Sequence, residues 1–290
     1  LGVSIEQIMF YDLSHLVQTN CSHMVVLPPL TLDGHLLVGR SYEWKPEEED
    51  LRLCTTQVQG RARHLGFSLL LFGRMEGMNE HGLSLTMSGG MAAGLPYEWN
   101  KRTGLNFWVV QRGILEGCRD LRDALETLRA YPPSSNVNML LAERSGRAAL
   151  VEIRAGEMRV KEIDSSSEWP YLVSTNHYIL PGMAEHNHHQ FILNTSLPRA
   201  EAIRACIEGG QPAVTRETLR GILTKEVPNG CFGPYYSDGF GTLWSMIFDL
   251  TVGEVEICFG APGHNPWRTF TLESAGELRE YEANFPDKRT

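Results

Sequence analysis

Residues 20–44 read NCSHMVVLPPLTLDGHLLVGRSYEW, and this stretch places three chemically distinct groups on two short apolar segments. Cys21 stands at the start of the first segment, while Arg40 and Glu43 stand on the second. The Asp-Gly pair at 33–34 lies between the segments and favours the positive φ angles of a tight turn. The pattern predicts a β-hairpin that returns the guanidinium and the carboxylate beside the thiol. Together the three groups form a candidate chemical site.

The composition is that of an acidic chain with an ordinary hydrophobic content. Its 290 residues include 35 Asp and Glu against 26 Lys and Arg, which gives a net charge of -9, and 42% of the residues are hydrophobic. This charge provides no general attraction for nucleic acid or anionic membranes. No run of the sequence approaches the roughly 18 apolar residues that span a bilayer. We therefore expect neither a nucleic-acid partner nor a membrane span.

The cysteines are scattered along the chain without a Cys-x-x-Cys pair. Such spacing suggests neither a zinc ribbon nor a disulfide scaffold, and it is typical of buried thiols in a reducing compartment. A cytoplasmic protein is therefore the expectation, although a chain that begins with Leu1 carries no targeting information at its first residue. The six positions are Cys21, Cys54, Cys118, Cys206, Cys231 and Cys258.

Hydrophobic periodicity predicts groups of strands that are separated from groups of helices. Because strands and helices are segregated rather than alternating, an α+β fold with antiparallel sheets is favoured over a βαβ series. The sequence contains no repeat or low-complexity linker, so a single domain is expected. Helices are predicted at 3–16, twice within 105–130, at 198–208 and at 215–224. Strands are predicted at 68–72, 82–88, 137–142, 148–153, 158–163, 171–174, 242–250, 254–259 and 267–272.

Several short motifs, in one order, resemble the N-terminal-nucleophile amidases. The closer resemblance is to the choloylglycine hydrolase and penicillin acyltransferase group, in which a Cys followed by Ser or Thr is answered by a Gly-Arg-Asn-aromatic-Asp-aromatic segment. Here Ser41 replaces the Asn and Glu43 replaces the Asp of that segment. The matching motifs are Cys-Ser at 21–22, GRSYEW at 39–44, EGMNEHGL at 76–83, the hairpin at 138–152 and Thr-Asn-His at 175–177.

The resemblance implies a fold and a division of the chain. The fold would be the four-layered αββα sandwich of antiparallel sheets. Residues 1–20 would be a pro-segment or the end of a small subunit, and residues 21–290 a single catalytic domain. The implied activity is that of a hydrolase or acyltransferase acting on a linear carbon–nitrogen amide in a small-molecule substrate.

The resemblance also implies roles for the residues around the thiol. The Asn20–Cys21 bond would be cut autocatalytically, and the freed α-amine of Cys21 would serve as the base for its own thiol. Arg40 would contact the nucleophile or the substrate and lower the pKa of the thiol. Glu43 would hold the amine in place of the family's Asp. Turnover would pass through an acyl thioester on Cys21.

The resemblance also implies an oxyanion hole, and the aromatic residues of the chain suggest a substrate pocket. The amide of Asn176 would donate to the oxyanion. Gly89 stands where bile-salt-cleaving members have Asn, which leaves its backbone N–H as the donor. Relatives carry a further Arg near the late strands, which residues 241–245 do not reproduce. Candidate pocket residues, for which core packing is an equal interpretation, are Trp99, Tyr235, Tyr236 and Trp244.

Other hypotheses stay open at this point. A Cys21–His177 dyad would need no chain cleavage. A catalytically inactive member that keeps its pro-segment uncleaved would act as a binding or structural protein. The His-rich segment 185–190, with His186, His188 and His189, is interpreted as a surface loop, so no metal and no cofactor are expected. The sequence is compatible with a homo-oligomer and does not specify one.

Overall fold

The computed structural model describes residues 20–48, 52–69, 72–91, 104–210, 214–238, 240–274 and 278–286. The helix predicted at 3–16 and the candidate pocket residue Trp99 lie outside these ranges. The helices are α1 (Phe107–Gly117), α2 (Leu121–Ala130), α3 (Gln190–Gly209) and α4 (Arg216–Thr224). The strands are β1 (Ser22–Val26), β2 (Leu37–Trp44), β3 (Leu53–Thr56), β4 (His64–Leu69), β5 (Gly73–Arg74), β6 (Gly77–Asn79), β7 (Leu83–Gly89), β8 (Val137–Glu143), β9 (Arg147–Arg154), β10 (Glu157–Asp164), β11 (Tyr171–Ser174), β12 (Pro234–Tyr235), β13 (Phe240–Asp249), β14 (Glu254–Phe259) and β15 (Trp267–Thr271).

These strands form two antiparallel sheets. Sheet 1 has the order β11-β1-β2-β13-β14-β15, with β12 paired to β13. Sheet 2 has the order β10-β9-β8-β7-β6-β4-β3, with β5 paired to β4. Within each sheet, every pair of neighbouring strands is antiparallel, as the separation of strands from helices in the sequence predicts.

The helices cover the outer faces of the two sheets. Helix α1 contacts β4 to β7 and helix α2 contacts β8 and β9, whereas α3 and α4 pack on β1, β2, β11 and β13. The burial of Leu121, Ala124, Leu125 and Leu128 follows helical spacing and directs one face of α2 to the core. The predicted α+β, four-layered αββα sandwich is thereby confirmed. None of the described helices is long and apolar enough to cross a membrane.

The predicted pairing of β1 with β2 is present, with Ser22 opposite Ser41 and His23 opposite Arg40. The connection is longer than a tight turn, because it runs from residue 27 to residue 36 and includes a cis Pro28–Pro29 bond. Gly34 lies in this connection with φ 73° and supplies the positive φ angle that was expected there.

Side chains alternate between the two faces of sheet 1. Cys21, just before β1, and Val25 belong to the apolar cluster that faces sheet 2, while Met24 and Val26 belong to the cluster beneath α3 and α4. The site described below is built on both faces.

Two elements differ from the sequence prediction by more than two residues at a boundary. Helix α3 begins at Gln190 rather than at 198 and continues through Pro198. A proline lacks the N–H of the helical ladder, which is why a helix start was predicted there. The strand predicted at 68–72 is observed as His64–Leu69. Its N-terminal half pairs with β3 and β6, a long-range constraint that the apolar run Leu69-Leu70-Leu71 does not reveal.

Candidate active site

The thiol of Cys21 is buried at the start of sheet 1 and faces Arg40. The Arg40 Nη2 donates to the sulfur at 3.4 Å, and the backbone N–H of Glu43 also donates to it. Burial raises the pKa of the Cys21 thiol, and the positive charge of Arg40 opposes that rise. The hairpin therefore brings the Arg40 guanidinium to the thiol as predicted, whereas Glu43 reaches the sulfur through its backbone N–H and its carboxylate contacts Ser41 and Thr242 instead. The thiolate has a charged donor and a backbone donor.

Arg40 is held on its other side by a carboxylate from sheet 2. Its Nε donates to Glu76 Oε2 at 3.0 Å, and its Nη1 donates to the Ser41 carbonyl at 2.7 Å. The second oxygen of Glu76 accepts from Trp244 Nε1 at 3.1 Å. Burial raises the pKa of Glu76, and Arg40 opposes this. The sequence analysis did not identify Glu76 as a site residue, although it belongs to the EGMNEHGL motif.

Glu43 lies on the helix-facing side of β2 and is only partly satisfied. Its Oε1 accepts from the Ser41 hydroxyl and, at 3.0 Å, from the Thr242 hydroxyl. Its Oε2 is buried and has no hydrogen-bond partner among the described residues. Burial raises the pKa of Glu43 to about 7, and the main opposing influence is the charge of Arg199.

Arg199, on helix α3, is a second buried cation at this site. Its Nη1 donates to the Cys21 carbonyl at 2.7 Å and to Ser22 Oγ at 2.8 Å. Its Nη2 donates to Asn176 Oδ1 at 2.8 Å, and its Nε donates to the Thr195 carbonyl at 3.0 Å. Relatives were expected to carry a further Arg near the late strands, which residues 241–245 lack, and Arg199 is a separate buried cation that comes from α3. Its position next to Pro198, where a helix start was predicted, gave no signal of a site.

Asn176 lies directly after β11 with its amide fixed at both ends. The Nδ2 donates to the Gly89 carbonyl at 2.9 Å, Oδ1 accepts from Arg199, and the backbone N–H donates to Ser196 Oγ at 2.8 Å. Because Nδ2 carries two hydrogens, one remains beyond the bond to Gly89. The structure thus brings Asn176 and Gly89 together.

His177 is buried close by, but its ring is engaged elsewhere. Its Nδ1 contacts Ser196 Oγ at 2.8 Å and Thr175 Oγ1 at 3.1 Å. Burial lowers the pKa of His177 to about 4, and Arg204 and Arg199 add to this effect. In the described ranges, no hydrogen bond joins this imidazole to the thiol of Cys21.

The candidate pocket aromatics are dispersed. Tyr235 is partly exposed, whereas the Tyr236 hydroxyl donates to the Thr242 carbonyl at 2.6 Å. Trp244 stacks on Tyr42 and on Phe67, with ring centroids 4.0 Å apart in each case. Tyr236 and Trp244 are therefore packed into the core. Over the residues that the structure describes, there is no cluster of three His, Cys, Asp or Glu side chains that could hold a metal ion.

The same fold occurs in solved structures of amide-cleaving enzymes. A mutant of the conjugated bile acid hydrolase from Clostridium perfringens has a TM-score of 0.56 at 12% identity, over 92% of this chain and 98% of that one. Penicillin V acylase from Agrobacterium tumefaciens has 0.55 at 13% identity, over 87% and 86%. The Caenorhabditis elegans ortholog of N-acylethanolamine-hydrolyzing acid amidase has 0.55 at 15% identity, over 80% and 93%. At these identities the likeness establishes the N-terminal-nucleophile hydrolase fold.

The sequence itself identifies the family within that fold. Residues 31–264 match the model of the acyl-coenzyme A:6-aminopenicillanic acid acyl-transferase family, and the chain belongs to this family. The matched range includes Arg40, Glu43, Asn176 and Arg199 but begins after Cys21. No curated protein matches the chain in sequence.

Proposed function

We propose that this chain is an N-terminal-nucleophile amidase or acyltransferase that forms an acyl thioester on Cys21 from a linear carbon–nitrogen amide. The observation that carries the proposal is the arrangement of charges around the thiol. Arg40 donates to the sulfur, and Glu43, whose backbone N–H also donates to it, leaves one buried carboxylate oxygen without a partner among the described residues. A buried carboxylate oxygen of this kind calls for a hydrogen-bond donor.

Autoproteolysis would supply that donor. The Cys21 thiol attacks the carbonyl carbon of Asn20, and the bond from that carbon to the Cys21 nitrogen breaks as the nitrogen takes up the thiol proton. Water then hydrolyses the resulting thioester and releases the sulfur. The products are an Asn20 carboxylate and a free α-amine on Cys21, and the ammonium form of that amine can donate to Glu43. Family membership supports this assignment, since the resemblance includes the same activation.

Turnover uses the same groups a second time. The free amine accepts the thiol proton, and the thiolate attacks the substrate carbonyl. The remaining Nδ2 hydrogen of Asn176 and the N–H of Gly89 are the proposed oxyanion donors. Departure of the amine leaves the acyl thioester, which water or another nucleophile resolves. The substrate is thus a small-molecule amide, and the acceptor decides between hydrolysis and acyl transfer.

Intact mass combined with the Cys21→Ala variant tests the proposal. The wild-type chain should separate into a fragment and a subunit that begins at Cys21, and it should cleave a member of a panel of N-acyl amino acids, bile-salt conjugates and penicillins. The variant should remain one chain and lose turnover by at least about 10⁴-fold, because it lacks the covalent nucleophile. Cys258→Ala is the matched control, since Cys258 is an equally buried thiol on β14. Undiminished turnover by the Cys21 variant would overturn the mechanism.

The second candidate function is that of a binding protein whose chain stays uncleaved. It is favoured by Ser41 and Glu43, which stand where relatives have Asn and Asp, because the Ser41 hydroxyl now binds the carboxylate that would have to receive the amine. The mass measurement separates the two candidates, because an inactive member remains a single chain under all conditions.

A further inference from the structure

Glu76 is a fully buried carboxylate that joins the two sheets at the candidate active site. It lies between β5 and β6 of sheet 2, while its two donors, Arg40 and Trp244, belong to β2 and β13 of sheet 1. Each carboxylate oxygen has one donor, at 3.0 Å from Arg40 Nε and at 3.1 Å from Trp244 Nε1. In the described part of the chain, Glu76 makes no hydrogen bond to Cys21 and reaches the sulfur through Arg40.

The hydrogen bond at Nε determines where the rest of the guanidinium points. The group is planar and its N–H donors have a fixed geometry, so fixing Nε and Nη1 also fixes the direction of Nη2. Nε is bound by Glu76, Nη1 by the Ser41 carbonyl, and Nη2 points to the sulfur of Cys21. An Arg40 side chain without Glu76 would keep only neutral contacts, the Ser41 carbonyl and the Tyr42 ring at 5.2 Å from its guanidinium carbon, and would lose the bond that fixes Nε.

Trp244 in turn fixes the carboxylate. Its ring stacks on Tyr42, its neighbour in sheet 1, and on Phe67, which belongs to sheet 2. The Nε1–H therefore has a set direction toward Glu76. The chain of contacts runs from an aromatic stack in the core to the candidate nucleophile.

We propose that Glu76 is a positioning residue, which holds Arg40 so that its Nη2 stabilises the Cys21 thiolate, and that Trp244 supports Glu76 in this role. The inference rests on the proposed function, because it assumes that the thiolate of Cys21 is the form that reacts. Its test can nevertheless be made on the thiol itself, without a substrate.

The sign of the effect separates positioning from simple charge balance. The charges that act on the thiol are those of Arg40 and Glu43 on β2 and of Arg199 on α3, while His23 on β1 and the Cys231 thiol are titratable groups beside Arg40 and Arg199. A negative charge on Glu76 by itself disfavours a nearby thiolate and partly neutralises Arg40. If charge were its only contribution, removal of that charge would favour the thiolate. If Glu76 positions Arg40, its removal disfavours the thiolate.

The experiment measures the rate of iodoacetamide alkylation at Cys21 against pH, resolved by peptide mass, in the purified full chain. Glu76→Gln is the test variant, because Arg40 and Trp244 donate to different oxygens of the carboxylate and the amide replaces one of those oxygens with an NH2 donor. Asp249→Asn is the matched control, since Asp249 is a buried carboxylate paired with Arg216 at the far end of β13. The partly exposed Cys54 is the internal reference in every sample.

In Glu76→Gln, we expect the midpoint of the pH profile for Cys21 alkylation to rise by about one pH unit, which is a tenfold loss of thiolate at a given pH. In Asp249→Asn, the midpoint should not change. A midpoint that is unchanged or lower would overturn the inference. If Glu76→Gln does not fold, Trp244→Phe takes its place, because phenylalanine keeps an aromatic ring and removes the N–H. The inference then requires the midpoint of the Cys21 profile to rise, by less than in Glu76→Gln. If the wild-type thiol is closed to the reagent, faster hydrogen exchange at Arg40 Nε in Glu76→Gln is the supporting result and an equal rate the opposing one.

This outcome is distinguishable from failure of the proposed function. Full turnover in Cys21→Ala together with a raised Cys21 midpoint in Glu76→Gln would refute the nucleophile and retain the positioning role. Loss of turnover in Cys21→Ala, together with an unchanged Cys21 midpoint in Glu76→Gln, would support the nucleophile and refute the positioning role.

Discussion

At the candidate site, the buried carboxylates on the two faces of sheet 1 differ in how completely they are hydrogen-bonded. On the face toward sheet 2, Arg40 and Glu76 form a direct ion pair at 3.0 Å, and both oxygens of the carboxylate have donors. On the face toward the helices, Glu43 keeps one oxygen without a partner, and Arg199 donates only to neutral oxygens among the described residues. On the first face both carboxylate oxygens have a donor, whereas on the second face one carboxylate oxygen can still accept from a further donor.

This difference suggests separate tasks for the two faces. A buried ion pair with complete hydrogen bonding fixes geometry, and breaking it leaves an uncompensated charge. A buried carboxylate without a full set of donors is costly until a partner arrives. The proposed α-amine of Cys21 would be that partner on the helix face. The buried Glu43 carboxylate would then destabilise the uncleaved chain, and the amine freed by cleavage would remove this destabilisation.

The largest expected effect is an opposite change in stability at the two carboxylates. In a Cys21→Ala background, which prevents cleavage, Glu76→Gln should lower the free energy of unfolding by about 1–3 kcal/mol, because one of the two buried donors, Arg40 Nε or Trp244 Nε1, loses its acceptor. Glu43→Gln should raise it by up to about 3 kcal/mol at pH 8, because the amide oxygen can still accept from Ser41 and Thr242 while the unpaired charge is gone. Urea denaturation measures both changes.

The pH dependence supplies the check on Glu43. Its pKa is raised from 4.5 to about 7 in the folded chain, so the folded state keeps its proton to higher pH than the unfolded state does. The free energy of unfolding should therefore fall as pH rises from about 4.5 to about 7 and level off above that range. Glu43→Gln should remove this decline and match its parent near pH 4. Equal destabilisation by both variants at pH 8 would contradict the comparison between the faces.

A smaller effect, on turnover, is expected at Asn176, whose amide oxygen accepts from Arg199 and whose NH2 is a proposed oxyanion donor. Asn176→Ala should lower kcat by about 10²-fold, close to 2.7 kcal/mol, with a smaller change in KM, because it would remove a proposed donor to the oxyanion. Steady-state kinetics on a substrate from the panel measure this. Asn265→Ala is a matched control, since that buried amide binds the carbonyls of Ala261 and Asn284 away from the site. Normal kcat in Asn176→Ala would make Asn176 a turn residue whose amide only anchors Arg199.

The parts of the site that the sequence predicts are those that follow from local pairing. Arg40 and the backbone of Glu43 lie beside Cys21 because β1 and β2 are consecutive antiparallel strands formed by two apolar runs with an Asp-Gly turn signal between them. The layers could be anticipated as well, because the segregated strands and helices allow few packing arrangements. Helix α2 shows its buried face in its spacing alone.

The groups that sequence reasoning missed approach from distant elements. Glu76 reaches Arg40 across the gap between the sheets, and Arg199 reaches Cys21 from helix α3, contacts that no short-range pattern encodes. Trp244 illustrates the same difficulty from the other side. An aromatic residue beside a Gly-rich loop suggests a pocket, but the stack on Phe67 depends on how the two sheets pack. Contacts between layers therefore complete the site, and the pattern of a single strand or helix does not predict them.

The smallest expected effect separates the amine of Cys21 from His177 as the base. Glu43→Gln should lower turnover of the cleaved enzyme by about tenfold, because it removes the charge partner of the catalytic amine. His177→Ala should change turnover by less than about twofold, since its Nδ1 is bound to Ser196 and Thr175 and burial lowers its pKa to about 4. Initial rates on one substrate, with the cleaved fraction of each variant determined by intact mass, make the comparison fair. A larger loss in His177→Ala, or full activity in a chain whose Asn20–Cys21 bond is intact, would transfer the role of base to His177 and leave the open carboxylate of the helix face without a part in turnover.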